Sequence, residues 1–316
     1  MRTFILVFAF ILLLLASLFI GVKQIDWANY NSIIESGRLV FRVSRFPRTM
    51  ALVIAGVGLS VSGLIMQQIS LNKFVSPTTA GTLDAAKLGI LIGLILFPGT
   101  SHLTQMGFAF LFTILASLIF MQMLRHIKQR SLIYIPLLGI MFGNVLAAIG
   151  TFFGYRFDII QNMETWLIGD FSKVLQGNYE LIYISLPAVL LTYLYANKLT
   201  ALGLGEETAK SLGIQYNTLV LIGLISISLT VSAVMITAGA IPFLGLIVPN
   251  IISLIYGDNL KKSLPYTALL GATLLLFGDI ISRLIIYPFE VPIGLTISII
   301  GGVAFLIFIS KRIRHA

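Results

Sequence analysis

A group of charged residues of both signs lies in the polar run 200–214, between two long apolar stretches. Glu206 and Glu207 would occupy the first turn of a short helix there and Lys210 its last turn, the charge distribution that a helix dipole favours. Glu206 and Lys210 are four residues apart and can form an ion pair along the helix. The run predicts a short charged helix, which is either an ordinary solvated loop or a contact for a partner.

Glycines frame this helix on both sides. We expect Gly203 and Gly205 to turn the chain sharply before the helix begins, because glycine tolerates backbone conformations that other residues avoid. Gly213 falls where a left-handed residue commonly ends a helix. The face opposite the charges is predicted to be a narrow apolar stripe of three residues, Leu204, Ala209 and Leu212.

A second group of charges combines four arginines within positions 38–48 with Asp279 and Arg283. Asp279 and Arg283 are four residues apart and can neutralise each other along a helix. Arginines beside apolar runs can extend their charged ends to a membrane surface. They can also grip the carboxylates of a partner through the planar guanidinium group. The residue types alone leave both interpretations of the four arginines open.

Signatures of covalent chemistry and metal binding are missing from the sequence. It has no cysteine, no GxxxxGK[ST] phosphate loop and no HExxH zinc motif. The three histidines are scattered, and no nucleophile with a neighbouring base can be nominated. We predict that the chain is not an enzyme and that it binds no metal or cofactor itself.

Composition indicates an integral membrane protein. The 316 residues are 58% hydrophobic and only 10% charged, whereas soluble domains carry about 25% charged residues. The net charge of +9 does not indicate nucleic-acid binding, because the basic residues cluster between apolar runs and form no basic face interleaved with aromatics. That placement is typical of a polytopic protein whose cytoplasmic loops are basic.

Ten apolar runs are long enough to predict membrane-spanning helices, and we interpret the first as a retained span rather than a cleaved signal. Between the fifth and sixth runs, Tyr155 to Asn178, with Trp166, Phe157 and Phe171, is predicted to form a helix at the membrane interface. The chain is expected to be a single transmembrane domain, 1–316. The ten runs are 3–22, 48–69, 79–97, 105–124, 132–154, 179–197, 216–237, 241–256, 265–286 and 292–310.

The distribution of lysine and arginine favours cytoplasmic N- and C-termini. In this orientation the basic loops 70–78, 125–131, 198–215 and 257–264 lie inside the cell, together with the tail 311–316. The four arginines of 38–48 lie outside and violate the rule, which suggests a specific role for them.

Several blocks in order resemble the iron-siderophore/vitamin B12 ABC-importer permeases of the FecCD type. They extend over roughly 45–310, and the glycine-proline block 239–249 is the most recognisable. Lys73, Asn250 and Ser253 depart from the family's usual residues, and the chain is most similar to permeases for catecholate or petrobactin-type siderophores of Gram-positive bacteria. The blocks are Arg45-Phe46-Pro47-Arg48-Thr49, Trp166-Leu167-Ile168-Gly169, Leu202-Gly203 with Glu206 to Gly213, Gly239-Ala240-Ile241-Pro242-Phe243-Leu244-Gly245 through Pro249, and Glu290-Val291-Pro292-Ile293-Gly294.

The resemblance implies an all-α polytopic fold of about ten transmembrane helices, like that of the vitamin B12 importer permease (a type II ABC importer). It implies a dimer with a second permease, identical or paralogous, two cytoplasmic ATPase subunits that hold ATP and magnesium, and an extracytoplasmic siderophore-binding lipoprotein. The chain itself would be the membrane-spanning permease subunit, which translocates a ferric siderophore across the cytoplasmic membrane.

The resemblance also implies roles for particular residues. Residues 203–213 would be the coupling helix in the groove of the ATPase, through Gly203, Gly205, Glu206, Glu207, Ala209, Lys210, Leu212 and Gly213. Three arginines would dock the binding protein, namely Arg45, Arg48 and Arg283. The gate of the pathway would be formed by Gly239, Pro242, Gly245 and Pro249.

The alternative from a different class is a secondary metal or metabolite carrier coupled to an ion gradient. Such carriers usually place ionisable residues deep in the membrane, and the predicted spans contain few. A purely structural membrane scaffold would not explain the charged run 200–214. The sequence leaves open the identity of the siderophore, the residues that contact it, and whether the dimer is a homodimer or a heterodimer.

Overall fold

A computed structural model describes residues 2–21, 37–127, 133–161, 163 and 168–313 of the chain. These residues are almost entirely helical, and they contain no strand beyond an isolated bridge between Ile286 and Phe289. The helices are α1 Arg2–Phe19, α2 Arg38–Ser70, α3 Thr82–Leu96, α4 His102–His126, α5 Tyr134–Arg156, α6 Ser185–Leu194 after a 3-10 turn at Glu180–Ile184, α7 Ala196–Leu202, α8 Glu206–Ser211, α9 Tyr216–Ala238, α10 Leu244–Tyr256, α11 Leu260–Leu284 and α12 Ile293–Ile313.

All ten predicted apolar runs fall on helices. In the described part of the chain, α2, α4, α5, α9 and α11 are long and apolar enough to cross a membrane. A sixth span results if Glu180–Leu194 and Ala196–Leu202, which are bent by 74° at their junction, are taken together. Shorter apolar helices occur at α1, α10 and α12. The chain is therefore a multi-pass helical membrane protein.

The second span is longer than the sequence suggested. Arg38–Ser70 is one helix of 33 residues, in which Phe41–Arg45 forms a π-helical turn. The predicted start of this span at residue 48 is therefore ten residues too late for the helix. Proline at position 47 does not break the helix, because the carbonyl of Val43, which its missing N–H would serve, accepts a hydrogen bond from Gln176 N instead (2.9 Å).

The centre of the bundle is α2, which packs against α9, α10 and α11. The close approach depends on glycines: a Cβ on Gly56 would lie 2.6 Å from the backbone oxygen of Gly271, and one on Gly63 would overlap the backbone of Gly245. Without a hydrophobic driving force between helices in lipid, such backbone contact is a main source of packing energy. The predicted packing role of small residues at 56 and 63 is confirmed.

The two ends of α2 carry different polar networks. Arg48 lies near one end and contacts Asp279 near the C-terminus of α11, whereas Lys73 follows the other end and contacts Asp258 just before α11 begins. The 22 helical steps from Arg48 to Ser70 correspond to about 33 Å at 1.5 Å per residue. We call the first the outer end and the second the inner end, following the expected orientation.

The interfacial helix predicted for Tyr155 to Asn178 does not extend over the whole segment. Ile160, Gln161 and Met163 are helical, whereas residues 168–178 consist of bends and turns, in which Phe171 is buried. The segment is held by its backbone, since Gln176 N–H donates to Val43 O (2.9 Å) and Asp170 N–H donates to Ala238 O (2.7 Å). Tertiary hydrogen bonds replace helical ones here. Trp166 lies outside the described residues.

Candidate functional site

The charged helix predicted at the inner end is present as α8, Glu206–Ser211. Lys210 Nζ lies 2.7 Å from Glu206 Oε1, as the four-residue spacing predicted. The Lys210 side chain is exposed, that of Glu206 is partly exposed, and Glu207 occupies the first turn beside them. A pair of this kind contributes little to stability.

The ends of α8 are set by glycines with positive φ. Gly205 precedes the helix with φ 96° and ψ 163°, a conformation that is essentially restricted to glycine. Gly213 follows it with φ 74°. Its N–H donates to Lys210 O (2.9 Å) while Ile214 N–H donates to Ala209 O (3.1 Å), the hydrogen-bond pattern of a Schellman motif. The predicted turn at Gly205 and the predicted cap at Gly213 are confirmed.

The predicted turn at Gly203 is present, but its reason differs, and the predicted apolar stripe is wrong. Gly203 has φ −64°, which any residue can adopt; a larger residue is excluded there because Gln68 at the end of α2 packs against it. The apolar residues form no single stripe, since Ala209 is fully buried whereas Leu204 and Leu212 are 60% and 61% exposed. Only the side of this six-residue helix that carries Ala209 packs against the bundle. Leu204 and Leu212 lie before and after the helix and are exposed.

α8 is tied to the bundle through the short helix before it. Leu199 and Leu202 of α7 are fully buried, and Thr200 Oγ1 accepts a hydrogen bond from Leu260 N at the start of α11 (3.1 Å). Ala209 belongs to the same core cluster as these two leucines. α8 is therefore connected to α11 through buried side chains and one hydrogen bond.

The inner end also contains a network that sequence reasoning missed. Lys73 Nζ donates to Ser253 Oγ (2.8 Å) and to both carboxylate oxygens of Asp258, and Ser253 Oγ also donates to Asp258. Asn250 Nδ2 donates to the backbone oxygen of Lys73 (2.8 Å). Lys73 therefore contacts both Asn250 and Ser253. All three residues depart from the family pattern, and this shared departure was the feature of the sequence from which the network could have been predicted.

At the outer end, the structure brings the distant charges into one buried network. Asp279 is fully buried and accepts hydrogen bonds from Arg48 Nη2 (2.8 Å), Arg48 Nε (3.2 Å) and Arg283 Nη2. Arg48 Nη1 also donates to Glu290 Oε2 (2.7 Å). The predicted pairing of Asp279 with Arg283 is confirmed, whereas its connection to Arg48 and Glu290 was not foreseen.

The same network holds the C-terminal end of α1. Arg45 Nη1 donates to Phe19 O (2.9 Å) and Leu18 O (3.2 Å), and Arg283 Nη1 donates to Ile20 O (2.6 Å) and Ser17 O (3.0 Å). These carbonyls lie at the C-terminal end of α1, the negative end of the helix dipole, so guanidinium groups suit them.

The three arginines predicted to dock a binding protein are therefore neighbours, but they are buried. Arg45, Arg48 and Arg283 are only 6%, 8% and 2% exposed. Their described contacts are with carboxylates and backbone oxygens of this same chain. The docking role remains a prediction, and in this conformation it would require these contacts to be exchanged.

The glycine-proline block forms a break between α9 and α10. Gly239 ends α9 with φ 82°, and Phe243 precedes α10 with φ 65°. Pro249 lies inside α10 and has no N–H to offer the carbonyl of Gly245. Gly245 itself packs against Gly63 of α2. Pro242 lies in the break, and its carbonyl accepts from Leu244 N (2.8 Å). The gate role stays a prediction.

A polar cavity adjoins this break at the outer end. His102, Asp170, Lys173 and Thr237 line it together with Gly239. Among the residues that the structure describes, no group of three or more His, Asp or Glu side chains could hold a metal ion. The cavity offers hydrogen-bonding groups and charges of both signs beside the break.

These features define a polytopic helical permease with an exposed charged helix at one end and a buried charge network at the other. The family model of the FecCD transport family matches residues 9–311, and the chain belongs to that family. It is 49% identical over 306 residues to the petrobactin import system permease protein YclN of Bacillus subtilis, covering 97% of each chain. It is 47% identical over 309 residues to the ferric-anguibactin transport system permease protein FatD of Vibrio anguillarum, covering 98% of each.

A solved structure supports the fold. The chain is similar to a metal-chelate type ABC transporter in an inward-facing conformation, with a TM-score of 0.79 and 24% identity over 98% of both chains. At this level of identity the likeness concerns the fold alone.

Proposed function

We propose that this chain is the membrane-spanning permease subunit of an ATP-binding-cassette importer for a ferric siderophore of the catecholate or petrobactin-like class. The observation that carries the proposal is the identity of 49% and 47%, over nearly the whole chain, to permeases named for petrobactin and ferric-anguibactin import. In both names the cargo is an iron chelate.

In this proposal the energy comes from a separate cytoplasmic ATPase, which holds ATP and magnesium, while this chain binds no cofactor. The contact with the ATPase is α8 with its flanking residues, Gly203 to Gly213. Three observations support this role: Glu207 and Lys210 are exposed, Leu204 and Leu212 project beside them, and Ala209 is fixed in the core. A short helix held at its base can transmit a rigid-body displacement to α11.

The proposal also includes the remaining partners and the orientation. A second permease, identical or paralogous, completes the pathway, and an extracytoplasmic binding lipoprotein delivers the cargo. Both termini lie in the cytoplasm, as the basic inner loops favour. The break at Gly239, Pro242, Gly245 and Pro249 forms the gate, since non-helical backbone at membrane depth is tolerated where it lines a cavity or is buried in protein.

Transport by the reconstituted complex tests the function. The assay uses proteoliposomes that contain the chain, its second permease and the ATPase, and the binding protein is added to them. They should accumulate iron from a ferric siderophore of the catecholate or petrobactin-like class only when ATP is present. Ferric hydroxamates and ferric citrate serve as cargo of other chemistry. ATP-independent uptake by the chain alone, driven by a proton or sodium gradient, would establish the secondary carrier instead.

Coupling is tested separately. Alanine at Glu206, Glu207 and Lys210 should reduce ATPase association while membrane insertion and the thermal stability of the permease stay unchanged. Lys261→Ala with Lys262→Ala is the matched control, because these exposed lysines lie at the same end of the bundle but outside α8. Full ATPase binding by the triple variant would disprove the role of α8.

A further inference from the structure

We propose that Lys87, held in place by Asp84, binds the negatively charged oxygens of a ferric catecholate-type chelate inside the translocation pathway. The proposal rests on the proposed importer function and adds a contact for its cargo. It follows from the depth of the two residues in the membrane, the side of the bundle on which they lie, and the geometry of their ion pair.

The first observation is that Asp84 and Lys87 of α3 lie near the middle of the membrane. A Cβ on Gly143 of α5 would be 2.8 Å from Asp84 Oδ2, so the carboxylate lies against that glycine. α5 extends from Tyr134 to Arg156, which places Gly143 about 14 Å from one end of the helix and about 20 Å from the other. Charged residues at this depth are rare and usually functional, because hydrocarbon does not solvate them.

The packing of α3 against α4 gives the same depth. A Cβ on Gly89 would be 2.5 Å from Phe108 O, so these two residues lie at one level. The two helices run in opposite directions from the loop that joins them. Asp84 lies about 8 Å from Gly89 along α3, on the side away from this loop. That level is near the middle of the 25 residues of α4, so the ion pair does not lie at a membrane surface.

The second observation is that this side of the bundle is open. The side chains of Asp84 and Lys87 are 27% and 18% exposed, and Asn144, which follows Gly143, is exposed. Of the five long apolar helices that the structure describes, α5 is the least covered by the rest of the chain. Two charges and an amide at this depth would be costly against lipid. We therefore place this side of α3 and α5 against the pathway that the second permease completes.

The third observation is that the ion pair leaves the ammonium group able to bind another anion. Lys87 Nζ lies 3.5 Å from Asp84 Oδ1, whereas a tight charge-assisted hydrogen bond measures about 2.7–2.9 Å. An ammonium group has more than one N–H to donate, and Asp84 is the partner that the described contacts give it. Lys87 can therefore donate to an oxygen of the cargo, while Asp84 compensates its charge when the pathway is empty.

This chemistry selects an anionic chelate. In a ferric catecholate the oxygens bound to iron are deprotonated phenol oxygens, so the chelate carries a net negative charge. Attraction between this charge and the ammonium group is stronger in an apolar environment than in water. A lysine is a compact point charge, which does not require one fixed orientation of the anion. Because Asp84 competes for the same ammonium group, the chelate can be released again as it moves through the pathway.

The test measures initial rates of ATP-dependent iron uptake by the full transporter in proteoliposomes, at saturating binding protein loaded with the ferric catecholate-type chelate that the wild type takes up. Lys87→Gln should lower the rate at least about tenfold, because a charge-assisted hydrogen bond to the cargo is lost. Lys87→Arg keeps the charge and should retain most of the rate. Lys87→Met with Asp84→Leu leaves no charge unpaired in the membrane and should show the same loss as Lys87→Gln.

A structural ion pair is distinguished from a cargo site by exchanging the two residues. Asp84→Lys with Lys87→Asp keeps an ion pair but moves the ammonium group against Gly143, so uptake should stay low. Lys262→Gln is the matched control, because Lys262 is an exposed lysine at the inner end of the bundle, and it should take up iron like the wild type. The size-exclusion profile, together with binding of the ATPase and of the binding protein, verifies that each variant is assembled.

Uptake by Lys87→Gln equal to that of the wild type would overturn the proposal, and so would equal losses in Lys87→Gln and Lys87→Arg. Full recovery of uptake by the exchanged pair would show that the ion pair is only structural. Failure of the importer function itself would appear differently, as absence of ATP-dependent uptake by the wild-type transporter.

Discussion

Removing the carboxylate of Asp279 should destabilise the folded permease strongly. Asp279 is fully buried and lies between Arg48 and Arg283, which are almost as deeply buried. In the variant Asp279→Ala, the two guanidinium groups lose the carboxylate that lies between them. Among the described contacts, Glu290, which pairs with Arg48, is then the carboxylate left to compensate their charges. The surrounding helices cannot supply another carboxylate from the described part of the network.

The expected magnitude follows from the geometry. Removing one partner of a buried ion pair typically costs about 3–5 kcal/mol, because the remaining charge is left uncompensated in a medium of low polarity. Asp279 serves two arginines, so the upper half of that range is expected. Asp279→Asn keeps the shape but not the charge, and should lose most of the same free energy of unfolding.

Denaturant unfolding of the purified chain in detergent micelles, followed by circular dichroism, measures the change. Asp258→Ala is the matched control: it also breaks a salt bridge, to Lys73, but one whose side chains are largely exposed. Such a pair contributes about 0–1 kcal/mol. Replacing Arg48 and Arg283 by methionine together with Asp279→Ala should restore part of the stability, because no buried charge is then left alone.

One result would refute the reasoning. If Asp279→Ala and Asp258→Ala lowered the free energy of unfolding equally, the outer network would not depend on charge compensation. The arginines would then have to reach water or lipid headgroups in the folded protein, and the burial described for them would not apply under those conditions.

Further predictions concern glycines. Gly63→Ala should abolish the recovery of folded protein on size exclusion, since its Cβ would overlap the backbone of α10, whereas Gly107→Ala meets nothing within 4 Å and should behave as wild type. Gly205→Ala should strain the residue before α8 by about 1–3 kcal/mol and speed hydrogen exchange over 205–213. Gly302→Ala, in open space with an ordinary backbone, should leave that exchange unchanged.

Much of the fold could be predicted from the sequence because its determinants are local. Twenty or so apolar residues in a row form a helix in lipid, where every backbone group must be satisfied within the segment, and all ten runs are helical. Glu206 with Lys210 and Asp279 with Arg283 were paired correctly, because residues four apart on a helix are neighbours. The cap at Gly213 likewise depends only on backbone conformation.

The failed predictions involve partners distant in sequence. The need for glycine at position 203 could not be predicted, because it depends on Gln68, which packs against it. Leu204 and Leu212 matched an apolar stripe by composition, but the bundle covers only the side of α8 that carries Ala209. The predicted span began at residue 48 because residues 38–47 carry three arginines. They nevertheless continue α2, since Arg45 finds acceptors in the carbonyls of α1 while Arg38 and Arg42 remain exposed.

The sequence by itself determined the helices, the pairs within them and membership of a permease family, since composition, i to i+4 spacing and ordered motifs need no tertiary contact. Only the tertiary structure decided which arginines are buried and which are free. Arg48 and Asp279 are separated by 231 positions, and nothing local selects that partner. Helix packing brings the carboxylate to Arg48 and leaves Arg38 and Arg42 exposed, because a buried guanidinium must be compensated while one in water need not be.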